Sequence, residues 1–148
     1  MKETIKTLVV DDELQIVKAI ERYMTFYDKI ELFTASNYEE ALEIIRREEP
    51  RIIITDVDLN GNNGLKLIAE GKKYTNATQV IIITGGNNTT LVVDALELGA
   101  VDYIRKPLNV EELKDRVEEA CDRVQRWEEA FRFELHKSKG QQLSSIHI

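Results

Sequence analysis

The sequence predicts a doubly wound α/β domain, with helices on both faces of a parallel sheet. Short runs rich in isoleucine and valine recur along the chain, and each is followed by a segment whose apolar residues repeat at helical spacing. The strongest of these runs are apolar almost without interruption, the pattern of strands covered on both sides.

Taken in order, the first strand is Ile5–Val10, followed by Leu14, Val17, Ile20 and Met24. A weaker run, Ile30–Ala35, leads to Ser36 and Asn37 where a helix N-cap belongs, then to Ala41, Leu42 and Ile45, stopping before Pro50. The run IIIT at 52–55 precedes Leu65, Leu67 and Ile68. The run VIIIT at 80–84 precedes Leu91, Val92, Ala95 and Leu96, with Gly99 as a helix stop. The last strand, 101–104, precedes Val110, Leu113 and Val117. Five such alternations imply right-handed βαβ units.

A chain of 148 residues holds one domain with room for an appendage. Its 43% apolar and 32% charged residues fit a folded globular protein rather than a disordered one. No apolar run approaches the ~18 residues of a membrane span, and MKETIKTLVVDD lacks the apolar stretch of a signal peptide. The single Cys121 excludes an internal disulfide and has no zinc-spaced neighbours. A cytoplasmic location away from the membrane is expected. Net charge of −7, without a basic run, argues against direct nucleic-acid binding by this chain.

Doubly wound sheets bind ligands at the carboxyl ends of their strands. Here those ends carry Asp11 and Asp12, Asp56, Thr84, and Lys106 followed by Pro107. Carboxylates of this kind suit Mg²⁺, and a carboxylate beside such a metal can act as a nucleophile toward phosphorus. An ammonium and a hydroxyl on the same rim would bind phosphoryl oxygens. Taken singly, each residue has a structural explanation: an aspartate pair caps a helix, Thr84 serves the turn at Gly85 and Gly86, Lys106 is solvated, and TDVDLNGNNG is rich in turn formers. Their joint occurrence at four strand ends favours a site.

The segments LVVDDE at 8–13, IIITDVDLNGNNG at 52–64, IIITG at 81–85 and ALELGAVDYIRKPL at 95–108 resemble the receiver domain of two-component response regulators, the CheY-like family. The resemblance implies a flavodoxin-like fold, a five-stranded parallel sheet in the order 2-1-3-4-5. It makes Asp56 the phosphoacceptor, with Asp11, Asp12, Asp56 and the backbone carbonyl of Asp58 holding Mg²⁺. It places Thr84 and Lys106 on the phosphoryl oxygens, Tyr103 as an aromatic switch partner of Thr84, and Pro107 after a cis peptide bond. By its own pattern Tyr103 is a core residue. The phosphodonor would be a sensor histidine kinase or a histidine phosphotransfer protein.

Two departures stand out. Leu59-Asn60 replaces the family's frequent Met-Pro, so a less rigid loop is expected there, although the glycine eight positions after the acceptor is present as Gly64. Gly85-Gly86 leaves one flank of the site open, and Asp58 and Gly86 occupy the positions that tune phosphoryl loss in this family. The stretch Asp56-Val57-Asp58 also resembles the motif of haloacid-dehalogenase-type phosphatases, but there the acidic pair comes last. A receiver-like interaction module without phosphorylation is a further alternative.

The receiver-like part is expected to span 1–123, with 124–148 extending the last helix into a polar tail. Leu113, Val117, Ala120, Val124, Trp127 and Phe131 follow a heptad seam. Its first half should cover the sheet, while Val124, Trp127 and Phe131 would meet a partner: a second copy in a parallel helix pair, or an output module. Glu134 interrupts the seam, and the residues after His136 are expected to fray.

Overall fold

The computed structural model describes residues 4–25, 27–59, 63–86 and 89–146, without the side chains of residue 63 and of 138–146. Strands and helices alternate: β1 (Ile5–Val10), α1 (Leu14–Met24), β2 (Ile30–Ala35), α2 (Tyr38–Glu48), β3 (Ile52–Asp56), α3 (Asn63–Lys72), β4 (Gln79–Thr84), α4 (Thr89–Glu97), β5 (Asp102–Arg105) and α5 (Val110–Ile146). The five strands form one parallel sheet in the order β2-β1-β3-β4-β5, as expected.

Successive side chains of a strand point to opposite faces, so the isoleucine runs feed two cores at once. Val9, Ile52, Ile54, Ile81, Ile83 and Ile104 meet α1 and α5 through Ile20, Met24, Leu113 and Val117. Leu8, Ile53, Val80 and Ile82 meet α2, α3 and α4 through Ala41, Ile45, Leu67, Ile68 and Ala95. Every residue of β3 and β4 is buried, which is why these two strands show no polar alternation. β2 lies at the edge and stays partly open along most of its length, which accounts for its weaker pattern.

Local chemistry sets the boundaries. Asn37 Oδ1 accepts the Glu40 N–H at 2.9 Å, and Glu40 Oε2 accepts the Ser36 N–H at 2.9 Å, so the two side chains cap α2 from both directions. Gly99, at φ +110°, closes α4: its N–H reaches Leu96 O at 3.1 Å and that of Ala100 reaches Ala95 O at 3.0 Å.

Three features differ from expectation. β5 begins one residue later than the apolar run suggests, because Val101 joins the sheet only through its N–H to Val80 O at 2.8 Å. The backbone of α5 continues to Ile146 instead of fraying after His136; no proline follows Pro107, and one glycine costs only about 1 kcal/mol in a helix. Val124 is 1% exposed and packs in the core with Ile20 and Val117, so it is not free to meet a partner. The sheet-packed stretch of α5 therefore reaches one heptad position further than expected. Trp127 and Phe131, at 51% and 67% exposed, do lie beyond it. Among the described residues no helix is long and apolar enough to cross a membrane.

Val124→Ala should cost about 1 to 3 kcal/mol in urea unfolding, whereas Trp127→Ala should shift it by less than about 0.5 kcal/mol. Equal losses for the two variants would contradict this division of α5.

Candidate functional site

The sheet delivers its chemical groups to one rim. Asp11 follows β1, Asp56 ends β3, Thr84 ends β4 and Lys106 follows β5. Because β1, β3 and β4 are central and in register, their carboxyl ends are adjacent, with Val10 opposite Thr55 and Asp56 opposite Ile83. Asp11, Asp56 and Thr84 are at most 5% exposed, while Asp12 faces solvent.

Lys106 Nζ stands at the centre. It donates to Asp56 Oδ2 and to Glu13 Oε1, each at 3.1 Å, and lies 3.2 Å from Asp11 Oδ2. Its backbone N–H donates to Thr84 O at 2.8 Å, which ties the β5–α5 connection to the end of β4. Gly85 leaves room for the chain of Lys106, whose Cδ would lie 3.2 Å from an added Cβ. The Lys106–Pro107 bond is cis, as the resemblance implies.

The remaining bonds orient the carboxylates. Asp56 Oδ1 accepts the Asp58 N–H at 2.9 Å, and Asp11 Oδ1 accepts the Glu13 N–H at 2.8 Å. Asp11 Oδ2 and Thr84 Oγ1 are buried, and among the described residues neither has a hydrogen-bond partner; the approach of Lys106 to Asp11 is a charge contact outside hydrogen-bond geometry. Carboxylate oxygens of Asp11, Asp12 and Asp56 lie within 4.8 Å of one another. Hard oxygen donors crowded in this way, one of them buried without a donor, fit a small divalent cation.

Burial pushes Asp11 up to about 6; the negative charge of Asp56 adds to this, while the Glu13 N–H and Lys106 oppose it. Burial alone would lower Lys106, but its hydrogen bonds to Asp56 and Glu13 and the charges of Asp56 and Asp11 outweigh it, and the amine is held above its ordinary value as an ammonium.

Gly64 is required by close approach: an added Cβ would fall on the carbonyl oxygen of Asp56 and 2.8 Å from Val57 Cα. The start of α3 is thereby set directly against the backbone of the candidate acceptor. Leu59 is buried in the core, so the apolar half of the unusual Leu59-Asn60 pair is anchored; the expected looseness concerns residues 60–62, outside the described residues. Asp58 faces solvent. Gly86 has φ +109° and, among the described residues, nothing within 4 Å of an added Cβ, and its backbone conformation favours glycine. Tyr103 is neither fully in nor out: it is partly buried against one core, with Arg105 Cζ 5.9 Å from its ring centroid.

The sequence model of the response regulator receiver domain matches residues 7–118. The chain belongs to this family. A probable transcriptional regulator of Porphyra purpurea, ycf27, is 35% identical to it over 119 residues, 80% of this chain and 48% of that protein. The CheY-like receiver domain protein of Methanospirillum hungatei JF-1 superposes with a TM-score of 0.76 at 26% identity, covering 84% of this receiver chain and 98% of the other. The receiver domain of NtrX from Brucella abortus gives a TM-score of 0.71 at 33% identity, covering 78% and 98%. The chain spans about half the length of the curated relatives it matches. It is a receiver domain of the two-component signalling type, the family that the sequence motifs resemble.

Glu13 was not among the residues singled out from the sequence, yet it bonds the central lysine. Its signal was a glutamate at an N-cap position, where shorter polar side chains are preferred.

In metal-free protein, a carboxyl raised to about 6 from 3.8 makes the folded state bind more protons than the unfolded state between those values. Its contribution to stability is therefore greatest below about pH 4 and falls as pH rises through 6. Without divalent cations, Asp11→Asn should be more stable than wild type at pH 7.5 by roughly 1 to 3 kcal/mol in urea unfolding, with the gap closing toward pH 4. A variant less stable than wild type at pH 7.5 would contradict the cost assigned to this charge.

Proposed function

We propose that Asp56 accepts a phosphoryl group from the phosphohistidine of a sensor kinase or histidine phosphotransfer protein, in the cytoplasm and with Mg²⁺ as cofactor. The observation that carries this is the Asp56 carboxylate, held by the Asp58 N–H and by Lys106 Nζ at 3.1 Å, beside two further aspartates at the end of the sheet. Asp11, Asp12, Asp56 and the backbone carbonyl of Asp58 would hold Mg²⁺, whose charge would offset the clustered carboxylates and the negative charge of the phosphoryl oxygens.

In the transfer, an Asp56 carboxylate oxygen attacks phosphorus as the bond from phosphorus to the donor imidazole breaks, its electron pair returning to the ring nitrogen. Lys106, locked as an ammonium, takes up charge on the transferred oxygens. The Thr84 hydroxyl, buried and without a hydrogen-bond partner among the described residues, supplies a further donor, and its movement toward the phosphoryl group frees space for Tyr103 to turn inward. The chain catalyses only its own phosphorylation and dephosphorylation.

Phosphorylation then shifts the population toward an active surface on α4, β5 and α5. Exposed Val93 and Leu96 of α4, Arg105 and Val110 fit such a surface. Trp127 and Phe131 extend it along α5 and suit a parallel helix pair or an output module. An output module agrees with relatives that are about twice as long and are named transcriptional regulators.

Intact-mass measurement with a small acyl phosphate and Mg²⁺ should show one phosphoryl group on the wild type and none on Asp56→Asn. In the same assay Asp58→Asn should still load but lose its phosphoryl group at a different rate; Gly86 is a poor site for such a test because a side chain there strains the backbone. Loading that persists in Asp56→Asn, or sustained turnover of phosphate esters, would defeat the proposal. Sedimentation should show beryllofluoride-dependent dimers that Trp127→Ala weakens; an association unchanged by both would remove α5 from the output.

A further inference from the structure

In the unphosphorylated receiver the lysine meant for the phosphoryl group is already engaged. A lysine ammonium has three donors. Two are spent on Asp56 Oδ2 and Glu13 Oε1, and Asp11 Oδ2 adds a charge contact at 3.2 Å without accepting a hydrogen bond. With three carboxylates around it, Nζ swings fully onto an oxygen of an incoming group on Asp56 only as one of these contacts loosens. Asp56 carries the group and Asp11 is fully buried, whereas the Glu13 side chain is 58% exposed and can pass into water at little cost.

Glu13 has no evident structural task that would explain the contact. It occupies the N-cap of α1, but its side chain makes no capping hydrogen bond; its backbone N–H is taken by Asp11 Oδ1 instead. The side chain spans the rim to a residue 93 positions away.

We propose that Glu13 is a positioning residue that acts as an internal placeholder for the phosphoryl group: its carboxylate holds Lys106 Nζ in the resting state and is displaced when an anionic oxygen arrives on Asp56. The inference rests on the phosphoacceptor reading above and concerns regulation of that same site. Glu13 therefore opposes loading, by competing for the lysine, and tunes the threshold at which the receiver responds to its donor.

The test is titration of the whole chain with beryllofluoride in Mg²⁺, followed by Trp127 fluorescence or NMR, for wild type, Glu13→Gln, Lys106→Met and the double variant. Removing a competitor with the strength of an exposed ion pair should tighten binding by about two- to five-fold in Glu13→Gln. In the Lys106→Met background the same substitution should have no effect, which separates competition for the lysine from a general loss of negative charge. Thermal unfolding of Glu13→Gln should match wild type, as befits a side chain that caps nothing. Unchanged or weaker binding in Glu13→Gln, or an equal gain in the absence of Lys106, would overturn the placeholder role. Failure of the wild type to bind beryllofluoride at all would instead strike the phosphoacceptor reading on which it rests.

Discussion

Lys106 is the charge that allows three carboxylates to share the rim of the sheet. Asp11, Asp12 and Asp56 bring oxygens within 4.8 Å of one another, and two of the three are buried. Like charges at such separations repel strongly where water is excluded. The ammonium touches two of them and Glu13 besides, and its own charge is fixed by that company. The balance remains incomplete, as the raised Asp11 and its undonated oxygen show. A site left short of positive charge is a site ready for a cation.

The fold exists, in functional terms, to bring that lysine to those aspartates. Parallel order β2-β1-β3-β4-β5 puts β1 and β3 side by side, so two chain segments 45 residues apart deliver Asp11 and Asp56 to one edge. Two cores of isoleucine, valine and leucine fix the strands from both faces. Glycine does the fine adjustment: Gly64 admits α3 against the backbone of Asp56, and Gly85 gives passage to the Lys106 chain. Substitution at either point would move the chemistry without touching a reactive group.

Much of this was legible in the sequence for identifiable reasons. Strands buried on both faces leave no choice but a continuous apolar run, so β1, β3 and β4 announced themselves, and the residues that end them announced the rim. Edge strand β2 was fainter because water accepts polar residues there. What the sequence hid were matters of reach and shape. A heptad seam does not say where the sheet stops, so Val124 looked available although it lies in the core. Nor does a glutamate after two aspartates say that its carboxylate will cross the rim to a lysine 93 residues on.

Under the proposed function, Asp56 alone among the clustered carboxylates reacts. Borohydride reduction of the acyl phosphate formed with a small phosphodonor and Mg²⁺, followed by peptide sequencing in the mass spectrometer, locates the reacted carboxyl directly. The account predicts reduction at Asp56 alone. Reduction at Asp11, Asp12 or Asp58, or at none of them, would contradict it.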